Sequence, residues 1–229
     1  MNKQTIKIVF YAINGTGLGH ITRLNNIAEE AVQICSAVGI EPHFNFLITT
    51  DAPAIASKFL TTKLPSKTMI RQLNLPVRKT TARIKAQVSN FIAMHSPDCL
   101  VLDTNPRGSY NEFSHIKSPT KSTVFIDRHR KPETITQIVK QTLKLYDRAI
   151  VPEQQTAGNP LELHPNSFFV DKIHGIKPEQ SLTRKEARTV FGAKKNNPLI
   201  YLSSGGGGGS ELSDQVTPSK IPVRFSLLS

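Results

Sequence analysis

A histidine directly follows three alternating glycines near the start of the chain. Gly15, Gly17 and Gly19 are separated by single residues, and His20 comes next. An apolar run precedes the glycines and a segment with helical spacing follows them, an order that places backbone N–H groups and a positive helix end beside an anion. His20 stands where that helix begins, and an imidazole can do proton chemistry near neutral pH. The stretch can therefore hold an anion, accept a proton, or do both.

The same stretch departs from the dinucleotide-binding fingerprint. That pattern needs a third glycine or alanine five residues after the first, for close packing of helix on strand. The position five residues after Gly15 is His20. The acidic residue expected about twenty residues beyond the motif is also missing, since Glu41 precedes the second strand and Asp51 comes late. We therefore expect no nicotinamide or flavin dinucleotide, and no other cofactor.

Strand-like and helix-like segments alternate through the first two thirds of the chain. Apolar, β-prone runs predict strands, and apolar residues at helical spacing predict the helices between them. The predicted strands are 6–13, 44–48, 69–73, 97–103, 122–127 and 148–151, and the predicted helices are 20–38, 53–60, 80–95 and 132–146. This alternation predicts an α/β fold with a Rossmann-like, doubly wound parallel sheet.

Polar residues follow two of these strands at one edge of the predicted sheet. Asp103 ends one buried strand and Asp127 ends the next. Asn105 and Arg107 follow Asp103 directly. Ligands of doubly wound sheets bind outside the carboxyl ends of the strands, so these residues are candidates for a cleft. A guanidinium at Arg107 could bind a phosphate or a carboxylate.

The chain changes character after residue 152. A turn-rich segment leads to a predicted helix at 183–191, where Thr183 and Glu186 have the spacing of a capping box. A strand at 198–202 then runs into a second glycine-rich loop. We predict a first domain at 1–152, a connection at 153–180, and the start of a second α/β domain at 181–229, irregular after about 205. Pro218 and Pro222 interrupt the segment after that loop, so we expect the second domain to be truncated.

The charge of the chain is strongly positive and unevenly distributed. The net charge is +12, and no acidic residue lies between Asp51 and Asp98. The basic residues of this interval are Lys58, Lys63, Lys67, Arg71, Arg78, Lys79, Arg83 and Lys85. Such a surface attracts anionic lipid, phosphorylated substrates or nucleic acid, or is simply solvated. Nucleic acid ranks last, because the chain has no tryptophan and the basic stretch has no stacking motif.

Cysteine usage and hydropathy favour a cytoplasmic protein. Cys35 and Cys99 lie in apolar surroundings and are expected to be reduced core thiols. No Cys/His cluster has metal-ligand spacing, so we expect no metal. No run of eighteen apolar residues occurs, and the N-terminus leads directly into a strand rather than a signal peptide. We expect a cytoplasmic location with peripheral contact at the inner face of the membrane.

Three motifs together resemble one enzyme family. The sequence from Gly15 to Arg23 resembles the first loop of two-domain GT-B glycosyltransferases, nearest to the MurG-like and UDP-glycosyltransferase superfamily. The second loop, Ser203 to Gly208, is similar to the loop that opens the donor-binding domain of that family. The strand ending in Asp103 resembles the family strand that ends in an acidic residue near the acceptor. The resemblance covers about residues 5 to 210.

The resemblance implies transfer of a hexosyl group from a nucleotide-sugar, expected to be a UDP-sugar, to an acceptor hydroxyl. It implies that 1–152 is the acceptor-binding GT-B N-terminal domain, that His20 is the catalytic base and that Asp103 orients it. The basic stretch adds the hint of a lipid-linked or phosphorylated acceptor. Residues expected to bind substrate are Gly15, Thr16, Gly17, Gly19, Arg23, Asn105, Arg107 and Asp127. Residues expected to bind the donor phosphates are Ser204, Gly205, Gly206 and Gly207.

Other interpretations of the sequence stay open. His20 could only cap the loop and helix, and Arg23 and Arg107 could each form a salt bridge. The chain could be a non-catalytic subunit of a split glycosyltransferase that binds a partner or a membrane surface. It could also be an inactive gene remnant.

Overall fold

The computed structural model describes residues 4–14, 17–50, 57–113, 120–127, 141–153, 162, 165–175 and 181–193 of the 229-residue chain. The chain divides into two units, Met1–Gly175 and Ile176–Ser229. The first unit holds the sheet and the candidate site.

Within the described residues, the first unit is built on a sheet of seven parallel strands. They are β1 Thr5–Ile13, β2 Glu41–Thr49, β3 Leu60–Leu64, β4 Cys99–Asp103, β5 Ser122–Ile126, β6 Arg148–Val151 and β7 Ser167–Phe169. Their order is β3-β2-β1-β4-β5-β6-β7. This is the doubly wound order with one further strand at its edge. The predicted Rossmann-like parallel sheet is confirmed, and the chain changes direction across the sheet between β1 and β4.

Helices cover both faces of the sheet. In the described part of the first unit they are α1 Gly19–Ala37, α2 Lys67–Gln72 and α3 Val77–His95, with further helical residues at 141–143. Because side chains alternate along a strand, β1 supplies a core on each face. Phe10 packs in the cluster that contains Leu24 of α1, and Tyr11 packs in the cluster that contains Val88 of α3. Both clusters are fully buried at these positions, so the two helices are fixed against the sheet.

The predicted strand at 69–73 is wrong. These residues lie in and just after α2, and the side chain of Ser66 caps that helix by accepting from Met69 N at 3.0 Å. A short apolar run fits a strand or one helical turn equally well, and the cap decides between them. The third strand is instead β3, whose polar sequence suits an edge position. Most of the helix predicted at 53–60 lies outside the described residues, which exclude 51–56. Its described residues 57–59 are not helical, and Leu60 begins β3.

The segment predicted to connect two domains contributes a strand to the first. β7 pairs in parallel with β6, with Phe168 opposite Ile150. β7 has only three residues, and both of its aromatic side chains are exposed or half-buried. Such a pattern is too short to predict a strand from the sequence. Of the helix predicted at 132–146, residues 141–143 are helical and 131–140 lie outside the described part.

The described part of the second unit contains one helix, α4 Arg184–Val190. Its predicted capping box is confirmed: Glu186 N donates to Thr183 Oγ1 at 3.3 Å, and Thr183 N donates to the Glu186 carboxylate at 2.8 Å. The predicted strand at 198–202 and the second glycine loop lie outside the described residues. None of the helices in the described ranges combines the length and apolarity needed to cross a bilayer.

Candidate functional site

The candidate site lies where β1 and β4 end side by side. Ala12 of β1 is opposite Asp103 of β4, and α1 begins a few residues after β1 ends. The first turn of α1 has no acidic residue, and its N-cap residue Leu18 makes no side-chain capping bond. The free N–H groups and the helix dipole therefore make this edge electropositive. It is the position at which doubly wound sheets bind ligands.

His20 and Asp103 meet at this edge. His20 Nδ1 lies 3.2 Å from Asp103 Oδ1; the carboxylate is fully buried and the imidazole is 26% exposed. An ionised carboxylate can only accept, so the proton of a neutral ring is on Nδ1. His20 Nε2 has no hydrogen bond to any described residue. Its lone pair is available to an incoming hydroxyl group, which is the arrangement of an oriented general base.

Arg23 binds the same carboxylate. Its Nε donates to Asp103 Oδ2 at 2.9 Å, and its Nη2 donates to Oδ1. His20 and Arg23 are three residues apart on α1, so their side chains lie on one face of the helix. Sequence analysis placed Arg23 among the substrate-binding residues, with a salt bridge as the alternative. In the structure its guanidinium is engaged by Asp103.

These contacts determine the ionisation of Asp103. Burial is the largest single influence and raises the pKa of its carboxyl group. Hydrogen bonds from His20 and Arg23, together with the Arg23 charge, outweigh it and hold the pKa below its ordinary value. Asp103 is therefore a carboxylate at neutral pH and acts only as an acceptor.

Thr104, which sequence analysis missed, belongs to the same cluster. Its Oγ1 lies 2.9 Å from His20 Nδ1 and 3.3 Å from Arg23 Nη2, and it donates to Asp103 Oδ1. Its φ is +74°, in the left-handed region. No sequence signal indicates that conformation, because threonine is a poor left-handed residue.

The carboxylate of Glu112 binds three donors in and around the loop that follows Thr104. Glu112 accepts from the N–H groups of Ser109 at 3.1 Å and Tyr110 at 2.6 Å, and from the hydroxyl of Tyr11 on β1. Burial, reinforced by the negative charge of Glu112, raises the pKa of Tyr11 well above its ordinary value. The loop is thereby fixed to the central strand. Tyr11 and Glu112 are 101 residues apart, and no motif in the sequence links them.

Asn105 and Arg107 lie on this loop. Asn105 Oδ1 accepts from Arg107 N at 3.2 Å, which shapes the turn. The guanidinium of Arg107 makes no hydrogen bond or ion pair with a described residue, and its Nε is buried. Among the described residues it is thus a cation without a carboxylate partner, on the loop that follows β4.

The remaining predicted site residues are spread around the same edge. Asp127 is fully buried just after β5, which pairs with β4. Gly17 and Gly19 lie at the start of α1, and a Cβ at either would meet no described atom within 4 Å. Gly15 and Thr16 lie outside the described residues. So do the predicted donor residues Ser204, Gly205, Gly206 and Gly207.

Metal ligands do not cluster in the ranges that the structure describes. No group of three or more His, Cys, Asp or Glu side chains there could hold a metal ion.

Several solved structures are similar to part of this chain. UDP-GlcNAc 2-epimerase from Methanocaldococcus jannaschii is 12% identical with a TM-score of 0.45, over 72% of this chain and 45% of that one. The lipopolysaccharide outer core galactosyltransferase WaaB is 12% identical with a TM-score of 0.41, over 67% and 40%. Arabidopsis thaliana UGT89C1 complexed with UDP is 7% identical with a TM-score of 0.45, over 82% and 55%. These similarities concern the fold alone.

The chain spans between 40% and 55% of the length of these three structures. No family model matches the chain. No curated protein matches it at the level of sequence.

Proposed function

We propose that this chain is the acceptor-binding half of a glycosyltransferase, which moves a hexosyl group from a nucleotide-sugar to an acceptor hydroxyl. One observation carries the proposal: Asp103 holds His20 through Nδ1, and Nε2 of this partly exposed ring has no hydrogen bond to a described residue at the carboxyl edge of the sheet. The resemblance of the first glycine loop to GT-B glycosyltransferases supports the same reaction. A histidine that only capped a helix would need no buried carboxylate behind it.

In the proposed reaction His20 acts as the general base. The acceptor hydroxyl gives its proton to Nε2 as its oxygen forms a bond to the anomeric carbon of the sugar. The bond from that carbon to the diphosphate breaks, and the nucleoside diphosphate leaves with the electron pair. Asp103 stabilises the imidazolium that forms. A positioned base of this kind contributes about 10²–10⁴-fold to a rate.

The proposed donor is a UDP-sugar bound through the second unit. Ser204, Gly205, Gly206 and Gly207 are proposed to bind its diphosphate, on the resemblance of their loop to the donor-binding loop of the family. Backbone N–H groups of a glycine loop suit phosphate oxygens, because no side chain blocks close approach.

The proposed acceptor is anionic. Arg107 has no carboxylate partner among the described residues, and the uncapped start of α1 faces the same edge. A guanidinium and free helix N–H groups each suit a phosphate. A phosphorylated or lipid-linked acceptor supplies that group.

The turn between α2 and α3 supports an acceptor at a membrane surface. Residues 71–79 are all exposed, and Leu73 and Val77 are 61% and 60% exposed. Arg71, Arg78 and Lys79 flank them without an ion pair to a described residue. Because a crossover helix runs antiparallel to the strands it joins, α3 begins at the edge where β4 ends. We call residues 71–79 the basic corner and propose that it contacts anionic lipid.

Product analysis tests the proposed function. The full chain, alone and with a donor-binding domain supplied, is incubated with UDP-hexoses and with polyprenyl phosphate or sugar-phosphate acceptors. Mass spectrometry then detects acceptors that gain one hexosyl unit. His20→Gln is expected to lose product while still binding acceptor. The control His43→Gln alters an exposed histidine at the opposite end of the sheet and is expected to leave product formation unchanged.

Three outcomes would contradict parts of the proposal. Product formation that survives His20→Gln would exclude the base, and an absence of transfer with every donor and acceptor would favour the non-catalytic subunit. Tight binding of UDP by a variant that lacks the second unit would contradict the proposed donor site.

A further inference from the structure

Thr104 occupies a backbone conformation that threonine rarely adopts. Its φ is +74°, and a β-branched residue in the left-handed region is strained. The residue is buried, and its N–H donates to Ile126 O at 2.8 Å. Strain of this kind persists only where the surroundings enforce it, and it concentrates at functional sites.

The strained backbone changes the direction of the Thr104 side chain. Side chains of a regular strand alternate between faces, and along β4 Leu102 packs with the α3 cluster while Val101 packs with the α1 cluster. A regular continuation would therefore send residues 103 and 104 to opposite faces. The left-handed turn instead brings the Thr104 hydroxyl to the ring that Asp103 also contacts.

A count of donors and acceptors fixes the direction of each bond. A threonine hydroxyl has one proton and two lone pairs. The proton goes to Asp103 Oδ1, since a carboxylate can only accept, and one lone pair accepts from Arg23 Nη2. Because its one proton is used on Asp103, the Thr104 hydroxyl can only accept from His20, so His20 Nδ1 donates across the 2.9 Å to Thr104 Oγ1. This contact is shorter than the 3.2 Å contact to Asp103.

We propose that Thr104 is a positioning residue that holds His20 in the Nδ1–H tautomer and aims Nε2 at the acceptor. Asp103 and Thr104 share the Nδ1 proton, so two acceptors oppose rotation of the ring. The effect of Thr104 on the tautomer and orientation of the His20 ring follows from the described contacts alone. Its effect on turnover rests on the proposed function.

Nitrogen NMR of the 229-residue chain tests the tautomer directly. Long-range ¹H–¹⁵N correlations distinguish the two neutral imidazole tautomers, and the signals absent from His20→Gln assign His20. Thr104→Val keeps the shape of the side chain without the hydroxyl. Thr104→Gly also removes the hydroxyl, but glycine adopts a positive φ without strain. The tautomer can therefore be measured in this variant even if Thr104→Val does not fold. Thr104→Ser keeps the hydroxyl and is the conservative control.

The expected result is an Nδ1–H tautomer for His20 in the wild type and in Thr104→Ser. Loss of one hydrogen bond corresponds to roughly a fivefold shift toward the Nε2–H tautomer in the valine and glycine variants. A wild-type tautomer ratio in the variants that lack the hydroxyl would overturn the proposal, as would an Nε2–H tautomer in the wild type.

Turnover then separates this proposal from the proposed function. With transfer activity established, the glycine variant is expected to lose kcat by roughly fivefold with KM little changed, and the serine variant to retain it. Unchanged kcat in the glycine variant would overturn the catalytic part of the proposal. A shifted tautomer ratio with no transfer by any variant, wild type included, would count against the proposed function and not against the role of Thr104.

Discussion

Arg23 binds both carboxylate oxygens of Asp103, at 2.9 Å from its Nε to Oδ2 and with its Nη2 on Oδ1. The carboxylate is fully buried and the Arg23 side chain is 17% exposed. The same carboxylate contacts His20, so one buried anion serves both side chains. Arg23 therefore supports the candidate base through Asp103.

Removal of Arg23 is expected to destabilise the fold. Breaking a buried ion pair leaves a buried charge uncompensated, at a cost of roughly 3–5 kcal/mol. We expect Arg23→Met to lower the free energy of unfolding at pH 7 by about 3 kcal/mol, measured by urea denaturation. The control Arg71→Met removes an exposed arginine with no ion pair to a described residue and should change stability by less than about 0.5 kcal/mol. Equal effects of the two substitutions would contradict a stabilising role of this pair.

The stability of the fold should depend on pH through Asp103. Burial raises the pKa of this carboxyl group, but its bonds to His20 and Arg23 hold the pKa below the ordinary value. A lowered folded-state pKa gives stability that is fully present above the unfolded value of about 3.9 and is lost as pH falls through the folded value. The difference in unfolding free energy between wild type and Asp103→Asn should therefore be largest at neutral pH and shrink toward pH 3. A difference that grew on acidification would contradict this sign.

Gly108 and Gly19 should respond in opposite ways to alanine. Gly108 has φ +80°, and an added Cβ would lie 2.3 Å from the carboxyl carbon of Glu112, which holds the loop. Gly108→Ala should destabilise the fold by more than about 1 kcal/mol. Gly19 has open space for a Cβ and lies in α1, so Gly19→Ala should stabilise it by up to about 1 kcal/mol.

Thermal unfolding of the two alanine variants measures this contrast. A stabilised Gly19→Ala protein that binds acceptor less well would indicate that the glycine serves ligand approach rather than folding. Equal changes in Tm for the two variants would contradict the described loop geometry.

The basic corner should govern binding to anionic membranes. Each cation near such a surface contributes about 1 kcal/mol, so Arg78→Gln with Lys79→Gln should weaken binding by roughly thirtyfold. Co-sedimentation with vesicles of equal parts phosphatidylcholine and phosphatidylglycerol measures this. The control removes the same charge from exposed residues of α4, Arg184→Gln with Lys185→Gln, and should bind as the wild type does. Equal losses of binding for the two double variants would indicate non-specific attraction and contradict a role of the basic corner. Vesicles of pure phosphatidylcholine are expected to bind neither the wild type nor the variants.

Local patterns in the sequence predicted the elements that carry the site. The apolar runs of β1 and β4 and the helical spacing after His20 are local, and their parallel pairing brings the two strand ends together. The pairing of His20 with Asp103 came from a family resemblance, since 83 residues separate the two side chains.

The details around the base could not be predicted in the same way. The left-handed turn at Thr104 depends on contacts from β5 and α1, and threonine carries no sequence signal for it. The ion pair between Arg23 and Asp103 and the bonds from the loop and Tyr11 to Glu112 join residues far apart in the sequence. They depend on how the elements pack, which no local pattern indicates. The short apolar run of α2 has no decisive period, so the sequence does not distinguish this helix from the predicted strand at 69–73.

His20 and Asp103 are proposed to act as one unit, and a double-mutant cycle on hexosyl transfer tests this most directly. The values of kcat/KM are compared for His20→Gln, Asp103→Asn and the double variant. Residues that act as a unit are strongly non-additive, so the double variant should be about as slow as His20→Gln alone. Losses that simply multiply, or a His20→Gln protein as fast as the wild type, would contradict the account.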